Sequence, residues 1–198
     1  MQVTVEKTFP IEAPASSAWA LLEDIRAVAE CMPGAEVTEQ IDEHHYKGQV
    51  RVKVGPAAAT FKGDIEVRSV DPDSRQIALT GKGTDVKGTS GASMDLSARV
   101  VDAGDGRCEL TGTAEVSVSG KMATFGGRMM NQVSDQILRQ FGANFGERVA
   151  ASGDSAAGEP SSEPAADRPQ RELNALALLW SIIAGFFRSL LGRGKSTG

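Results

Sequence analysis

Few residues in this chain have the chemistry of a catalytic acid, base or nucleophile. The 198 residues include two histidines, His44 and His45, and two cysteines, Cys31 and Cys108. Neighbouring residues of a strand point to opposite faces, so the two histidines cannot serve one site, and we expect a polar strand end there. Cys31 would need a base to become a nucleophile, and the sequence places no histidine to activate it. We therefore predict a small buried side chain at Cys31 and a protein that is not an enzyme.

Metal, phosphate and nucleic-acid sites also lack support. The two cysteines match neither a zinc-binding spacing nor a disulfide framework, and the sequence contains no cluster of metal ligands, so we predict no metal site and no covalent cofactor. Gly81 and Gly83 resemble a fragment of a phosphate-binding loop. The third glycine and the following helix are missing, however, which favours flexible or bulged strand glycines. A net charge of −5 without a basic stripe argues against nucleic acid as a partner.

The apolar face of a long C-terminal helix remains as the candidate site. Such a face is commonly ordinary core, but two features favour a cavity for a lipophilic small molecule. Methionine side chains line a site adaptably, and the facing strand residues are small or branched. The predicted lining consists of Val50, Val52, Phe61, Met94, Met122, Phe125, Met129, Val133 and Ile137.

The first two elements precede this region. Apolar and polar residues alternate over residues 3–9, as in a half-buried strand, and Pro10 is expected to break it. Residues 15–30 have helical spacing, with Ser16 or Ser17 as the candidate N-cap.

The remaining elements form a sheet and its cover. From residue 35 to residue 119 the hydrophobic period is two, and turn signals at residues 71–74 and 104–106 separate the strands, which predicts an antiparallel meander of about six strands. Helical spacing follows from residue 122 to about residue 150. A sheet of this length must bury its inner face, and the long helix is the available cover. We predict an α+β domain over residues 1–150, with a strongly curved antiparallel sheet wrapped around one long helix.

The C-terminal segment has a different character. Residues 151–172 are rich in proline, serine and acidic side chains, which predicts a disordered linker. Residues 173–192 form an amphipathic pattern with a small polar sector, and residues 193–198 are a basic terminus. An in-plane membrane helix fits best; docking on protein and a full span are the alternatives. The predicted membrane contacts are Leu176, Leu179, Trp180, Ile183, Phe186, Phe187, Arg188 and Leu190.

The N-terminus lacks the apolar core of a signal peptide, which predicts a cytoplasmic protein with free thiols. Basic residues near the end of the chain would favour anionic lipid. We expect peripheral attachment to the inner face of the cytoplasmic membrane, with its lipids as partners.

Several motifs resemble the CoxG family of carbon monoxide dehydrogenase. They are CMPGAE at residues 31–36, YKG at 46–48, VKVGP at 52–56 and FKG at 61–63, followed by GKMA at 120–123 and G-x-R at 126–128. The resemblance covers about residues 2 to 148, with the motifs in order and at similar spacing. It implies the START-like (SRPBCC) helix-grip superfamily, whose members hold hydrophobic ligands between sheet and long helix.

The same resemblance implies a partner, a molybdenum hydroxylase of the carbon monoxide dehydrogenase type that is recruited to the membrane. Three functions follow as hypotheses. The first is a tethered carrier and adaptor that binds a lipophilic ligand, such as a respiratory quinone or another isoprenoid lipid, and links the oxidoreductase to the membrane. The second is a ligand-free membrane anchor or assembly factor, and the third is an enzyme acting on a hydrophobic substrate.

Overall fold

The computed structural model describes residues 1–55 and 57–156, and the tail helix and terminus predicted at 173–198 lie outside this part of the chain. The described residues form seven strands, three α-helices and a 3₁₀ turn. In chain order these are β1 (Gln2–Ile11), α1 (Ala15–Glu23), α2 (Ile25–Cys31), β2 (Ala35–Gln40), β3 (His45–Val54), β4 (Ala57–Asp71), β5 (Gln76–Asp85), β6 (Ser90–Gly104), β7 (Arg107–Gly120), the 3₁₀ turn (Lys121–Phe125) and α3 (Gly126–Ala156).

The strands form one antiparallel sheet in the order β1-β7-β6-β5-β4-β3-β2. Strands β2 to β7 pair with their neighbours along the chain, and β1 joins the sheet by pairing with β7. The predicted α+β class, with a curved antiparallel sheet and a long C-terminal helix, is therefore confirmed. Apolar and polar residues alternate along these strands because one face is turned toward α3 and the other toward solvent.

The prediction that Pro10 breaks the first strand is wrong. Strand β1 continues through Pro10, which lies opposite Glu109, and ends at Ile11. Because β1 is an edge strand, it can include a residue that has no backbone N–H to donate.

The single helix predicted over residues 15–30 is two helices that meet at Asp24. This residue has an extended backbone (φ −86°, ψ 95°), and its carboxylate accepts hydrogen bonds from the backbone N–H groups of Arg26 and Ala27. Asp24 thus caps α2. The predicted serine cap of α1 is absent, because Pro14 occupies the N-cap position and Ser16 already lies within the helix.

The long helix begins later and ends later than its sequence pattern indicates. Gly120 and Gly126 both have positive φ angles, 70° and 76°, and the residues between them form the 3₁₀ turn. Phe125 therefore precedes α3 instead of starting its apolar ladder. The helix extends to Ala156 and includes the first six residues of the segment predicted as linker.

Three glycines align across the middle of the sheet. Gly48 pairs with Gly63, Gly63 pairs with Gly83, and Ala92 of β6 continues the row. A Cβ atom at Gly63 would lie 1.8 Å from the carbonyl oxygen of Lys82 and 2.5 Å from Cα of Gly83. The backbones of β4 and β5 approach closely at this point, and this requires a residue without a side chain.

Candidate functional site

Two separate apolar clusters lie between the sheet and the helices. The larger, which we call the basal cluster, contains the buried side chains of α1 and α2 and includes Trp19, Ile77, Phe141, Phe145 and Val149. The smaller, the distal cluster, consists of Val54, Ala59, Phe61, Val118 and Met122. A typical domain has one contiguous core, so a division of this kind beneath a single helix requires a reason.

The sheet side of the division is visible in the register. Val116, Met94, Gly81 and Ile65 lie side by side on the face that turns toward α3. All four are half-buried, although inward residues at both ends of the same strands, such as Val118, are buried. The adjacent row contains Gly48, Gly63 and Gly83 and therefore has little bulk of its own.

The helix side shows the same interruption. Met129 and Val133 of α3 pack against the distal cluster, whereas Phe141 belongs to the basal cluster. Ile137 lies between them on the same face of the helix, remains half-buried and is part of neither cluster. We refer to the space between Ile137 and the row from Val116 to Ile65 as the gap.

The nine side chains predicted to line a cavity fall mostly in one place. Phe61 and Met122 are buried in the distal cluster, and Val50, Val52, Phe125, Met129 and Val133 are half-buried and pack against it. Met94 and Ile137 belong to neither cluster and face the gap from opposite sides. The structure therefore brings seven of the nine together and places the other two beside the gap.

Sequence reasoning missed a buried polar pair at the distal end, Asp85 and Ser90. Their exposed fractions are both 5%. The Ser90 hydroxyl accepts a hydrogen bond from the backbone N–H of Met122 at 3.0 Å, and Thr89 Oγ1 donates to Asp85 Oδ2 at 3.0 Å. Asp85 Oδ1 is also buried and has no hydrogen-bond partner in the described structure. The strand period contained the signal, because Asp85 continues the inward positions of Ile77 and Leu79.

Two shallow depressions of about 390 Å³ each lie elsewhere on the surface. One is between β1 and α3 and is lined by residues that include Phe9, Arg139 and Gly142. The other is on the outer face of the sheet, around Arg68, Asp95 and Glu115. Both are open and expose exchangeable surface side chains, so we regard the buried, inward-facing gap as the better candidate for an apolar ligand.

The residues with catalytic potential do not form a site. His44 and His45 are exposed in a turn, where the Asp42 carboxylate accepts hydrogen bonds from both backbone N–H groups and lies 2.9 Å from His45 Nδ1. These contacts, the backbone bond from His44 first, lower the pKa of Asp42 below its usual value. The predicted polar strand end describes them well.

Both cysteines are buried and reduced. Cys31 Sγ donates to the carbonyl oxygen of Ala27 at 3.3 Å, and burial raises the pKa of the Cys31 thiol above its ordinary value. Burial likewise raises the pKa of the Cys108 thiol. These are properties of inert core thiols, since a reactive cysteine requires a lowered pKa.

Within residues 1–55 and 57–156, no three side chains among His, Cys, Asp and Glu are grouped so that they could hold a metal ion. In the same ranges, no helix combines the length and the apolar character that crossing a membrane would require.

Comparison with known proteins places the chain in a recognisable context. The family model that describes the CoxG subunit of carbon monoxide dehydrogenase matches residues 8–150. No curated protein matches the chain. Among solved structures, a conserved protein from Geobacillus kaustophilus is similar with a TM-score of 0.68 and 21% identity, covering 76% of this chain and 97% of that one.

Two further structures have the same fold. The Zhui aromatase/cyclase from Streptomyces sp. R1128 has a TM-score of 0.60 and 19% identity, covering 80% of this chain and 100% of its own. A START superfamily protein from Mycobacterium smegmatis has a TM-score of 0.54 and 16% identity, covering 75% of this chain and 98% of its own. At these identities the likeness establishes a START-like fold alone.

Proposed function

This chain belongs to the CoxG family of carbon monoxide dehydrogenase, and on that premise we propose that it is a membrane-tethered carrier and adaptor. Family and START-like fold together point to hydrophobic-ligand binding associated with carbon monoxide dehydrogenase. The proposed ligand is a respiratory quinone or a related isoprenoid lipid. The proposed partner is a molybdenum hydroxylase of the carbon monoxide dehydrogenase type, which the chain links to the cytoplasmic membrane.

The gap is the observation that carries the ligand part of this proposal. Inward-facing apolar side chains that remain half-buried lose favourable transfer free energy, roughly 25 cal/mol for each Å² left in water. A bound isoprenoid chain would cover Met94, Ile137 and their neighbours and recover that energy. Met129 and Met130, which border the distal cluster, have flexible side chains that adapt to a ligand of variable shape.

Gly81 provides a test because it faces the gap and has room. A Cβ atom there would find its nearest neighbours at 3.8 Å (Met94 Cε) and 3.9 Å (Asp64 O). We expect Gly81→Ile to fill the gap with a strand-favouring side chain, keep the melting temperature at or above the wild-type value and lower bound quinone at least tenfold. Full-length protein is purified in mild detergent from quinone-containing cells, extracted with organic solvent and analysed by mass spectrometry.

Thr113→Ile is the matched control, because it adds the same side chain to the exposed outer face of β7. The control should retain wild-type quinone and report any quinone carried by the micelle. A wild-type protein with no more quinone than Gly81→Ile would remove the carrier function. The remaining candidate would be a ligand-free anchor or assembly factor, for which Gly81→Ile leaves electron delivery from the hydroxylase to the membrane unchanged.

Membrane attachment is proposed from the sequence of residues 173–192. If the apolar sector enters the interface, the double substitution of Trp180→Glu and Phe186→Glu should reduce binding to anionic lipid vesicles more than tenfold, since each charge must leave the apolar region. Asn174→Glu with Ser181→Glu introduces the same charge on the polar sector and should weaken binding far less. Flotation of full-length protein with vesicles measures both, and equal losses would contradict an oriented in-plane helix.

The proposal includes no catalytic activity. It is supported by the exposed positions of His44 and His45 and by the burial of Cys31, whose thiol pKa is raised. The chain's own contribution is an apolar environment for the ligand and a connection between the oxidoreductase and the lipid surface.

A further inference from the structure

Asp85 is a buried carboxylate that the proposed carrier function does not yet use. It lies opposite Phe61 in the register of β4 and β5, and directly opposed residues of paired strands project from the same face. Phe61 is part of the distal cluster, so the Asp85 side chain points into the apolar interior. An acidic side chain is rarely buried without a partner, because removing it from water is costly.

One of its two oxygens is accounted for and the other is not. Thr89 Oγ1 donates to Oδ2 at 3.0 Å, which fixes the orientation of the carboxylate group. Oδ1 is buried and has no partner among the described residues. A buried acceptor without a donor costs more than an average hydrogen bond contributes, so this oxygen is the place where a ligand gains most by supplying a donor.

The position of Asp85 connects it to the gap. The next two inward positions on β5 are Gly83 and Gly81, so that no side chain of this strand separates the carboxylate from the row of Met94 and Ile65. Two residues of strand span roughly 7 Å, about the width of a six-membered ring with its substituents. A head group lying over these glycines reaches Oδ1 while its chain extends along the gap.

We propose that Asp85 is the polar anchor of the ligand site, where Oδ1 accepts a hydrogen bond from an O–H or N–H group at one end of an otherwise apolar molecule. This inference rests on the proposed carrier function and specifies the ligand class. The site then prefers a hydroxyl-bearing ligand to a matched one that only accepts hydrogen bonds. For a quinone couple it favours the reduced hydroquinone, whose hydroxyl donates, over the oxidised form, whose carbonyl repels the carboxylate.

The expected preference is large enough to measure. A hydrogen bond to a charged group contributes about 1.5–3 kcal/mol, which corresponds to roughly a 10- to 150-fold difference in dissociation constant. A tenfold preference for the hydroquinone raises the two-electron potential of the bound couple by about 30 mV. The bound cargo is thus held in the form that an oxidoreductase would deliver to it.

The test uses full-length protein and two stable probes, 4-nonylphenol and its methyl ether, which differ in one O–H group. Dissociation constants are measured by isothermal titration calorimetry in the same detergent. We expect the wild-type protein to bind the phenol at least tenfold more tightly than the ether. Asp85→Asn, which keeps the size but replaces the second acceptor oxygen or its charge, should reduce that ratio to below threefold. Asp95→Asn, on the exposed outer face, should leave the ratio unchanged.

Each outcome discriminates. Equal binding of phenol and ether by the wild-type protein overturns the anchor while leaving the carrier function intact. Binding of neither probe, together with no extractable quinone, overturns the carrier function itself. If Asp85→Asn lowers the melting temperature but keeps the wild-type ratio, Asp85 is a structural residue of the β5–β6 turn and the inference is wrong. The wild-type comparison alone decides the matter if the variant does not fold.

Discussion

At the residue scale, Gly63 and Gly81 illustrate how the same residue type has different roles on adjacent strands. Gly63 sits where β4 and β5 approach most closely, whereas Gly81 faces the gap. The sequence pattern does not separate them, since both are strand glycines flanked by polar residues. The difference arises from the partner strand, which brings a carbonyl oxygen within 1.8 Å of one Cβ position and leaves the other open.

This difference predicts opposite effects of the same substitution. Gly63→Ala should lower the free energy of unfolding by about 3 kcal/mol or more, because the new methyl group meets backbone that cannot rotate away. Gly81→Ala should raise it by roughly 0.5–1 kcal/mol, since it reduces the conformational freedom of the unfolded chain without a clash. Urea unfolding of both variants measures the pair. Equal effects would show that β4 and β5 are not so close.

At the scale of elements, α3 has two halves with different surroundings. Its C-terminal half is fixed by Phe141, Phe145 and Val149 in the basal cluster, and Asn144 Nδ2 donates to the carbonyl oxygen of Cys31 at 2.9 Å. Its N-terminal half covers the distal cluster with half-buried Met129 and Val133. Fewer buried contacts imply lower local stability, so ligand entry is expected beneath the N-terminal half.

The C-terminal half offers a matched pair of glycines on one helix. The ring of Phe9 packs against Gly142, where a Cβ atom would lie 2.3 Å from Phe9 Cδ1, and it also meets Phe141 edge-on at a centroid distance of 5.8 Å. At Gly146 the nearest atom is Ile11 Cδ1 at 3.7 Å, an ordinary contact.

We expect Gly142→Ala to destabilise the fold by about 1–3 kcal/mol despite the better helix propensity of alanine, because the ring must leave its position. Gly146→Ala should stabilise it by up to about 1 kcal/mol. Thermal unfolding with hydrogen exchange of β1 distinguishes the two variants. Stabilisation by Gly142→Ala would mean that Phe9 does not rest on α3.

At the scale of the whole molecule, the sheet and the long helix are joined across their open side by an ion pair. Lys7 Nζ of β1 and Asp135 Oδ1 of α3 are 2.8 Å apart, with 40% and 45% of their side chains exposed. The hydrogen bond from Lys7, and then its charge, lower the pKa of Asp135 below its ordinary value. This link connects two elements more than a hundred residues apart in the chain.

The sign of its pH dependence follows from the lowered pKa. The carboxylate contributes stability above the pKa of an unfolded aspartate, about 4, and loses it as pH falls through the lower folded value. We therefore expect Asp135→Asn to reduce the melting temperature slightly at pH 7 and to match the wild-type protein in strong acid. Asp95→Asn, which removes a carboxylate without an ion pair in the described residues, should show no such convergence. A wild-type-to-variant difference that grows on acidification would contradict the assignment.

Local sequence signals were sufficient to predict the main elements and their order. Period-two and helical spacing, together with turn residues such as those at 71–74, act over a few residues, and they predicted the meander, the long helix and the α+β class. The same short range explains the errors. Pro10 indicates a break until β1 is known to be an edge strand, and Asp24 has the pattern of a helix residue until its carboxylate is seen to cap α2.

The location of the candidate site and its polar group depend on the tertiary structure. Periodicity placed Phe61, Met129 and Val133 on inward faces, but the division of the core depends on the register of strands distant in sequence. Register alone aligns Gly48 with Gly63 and Gly83 and sets Asp85 opposite Phe61. A buried carboxylate with a free oxygen is a property of that alignment, because local sequence specifies which face a residue occupies but not which neighbours surround it there.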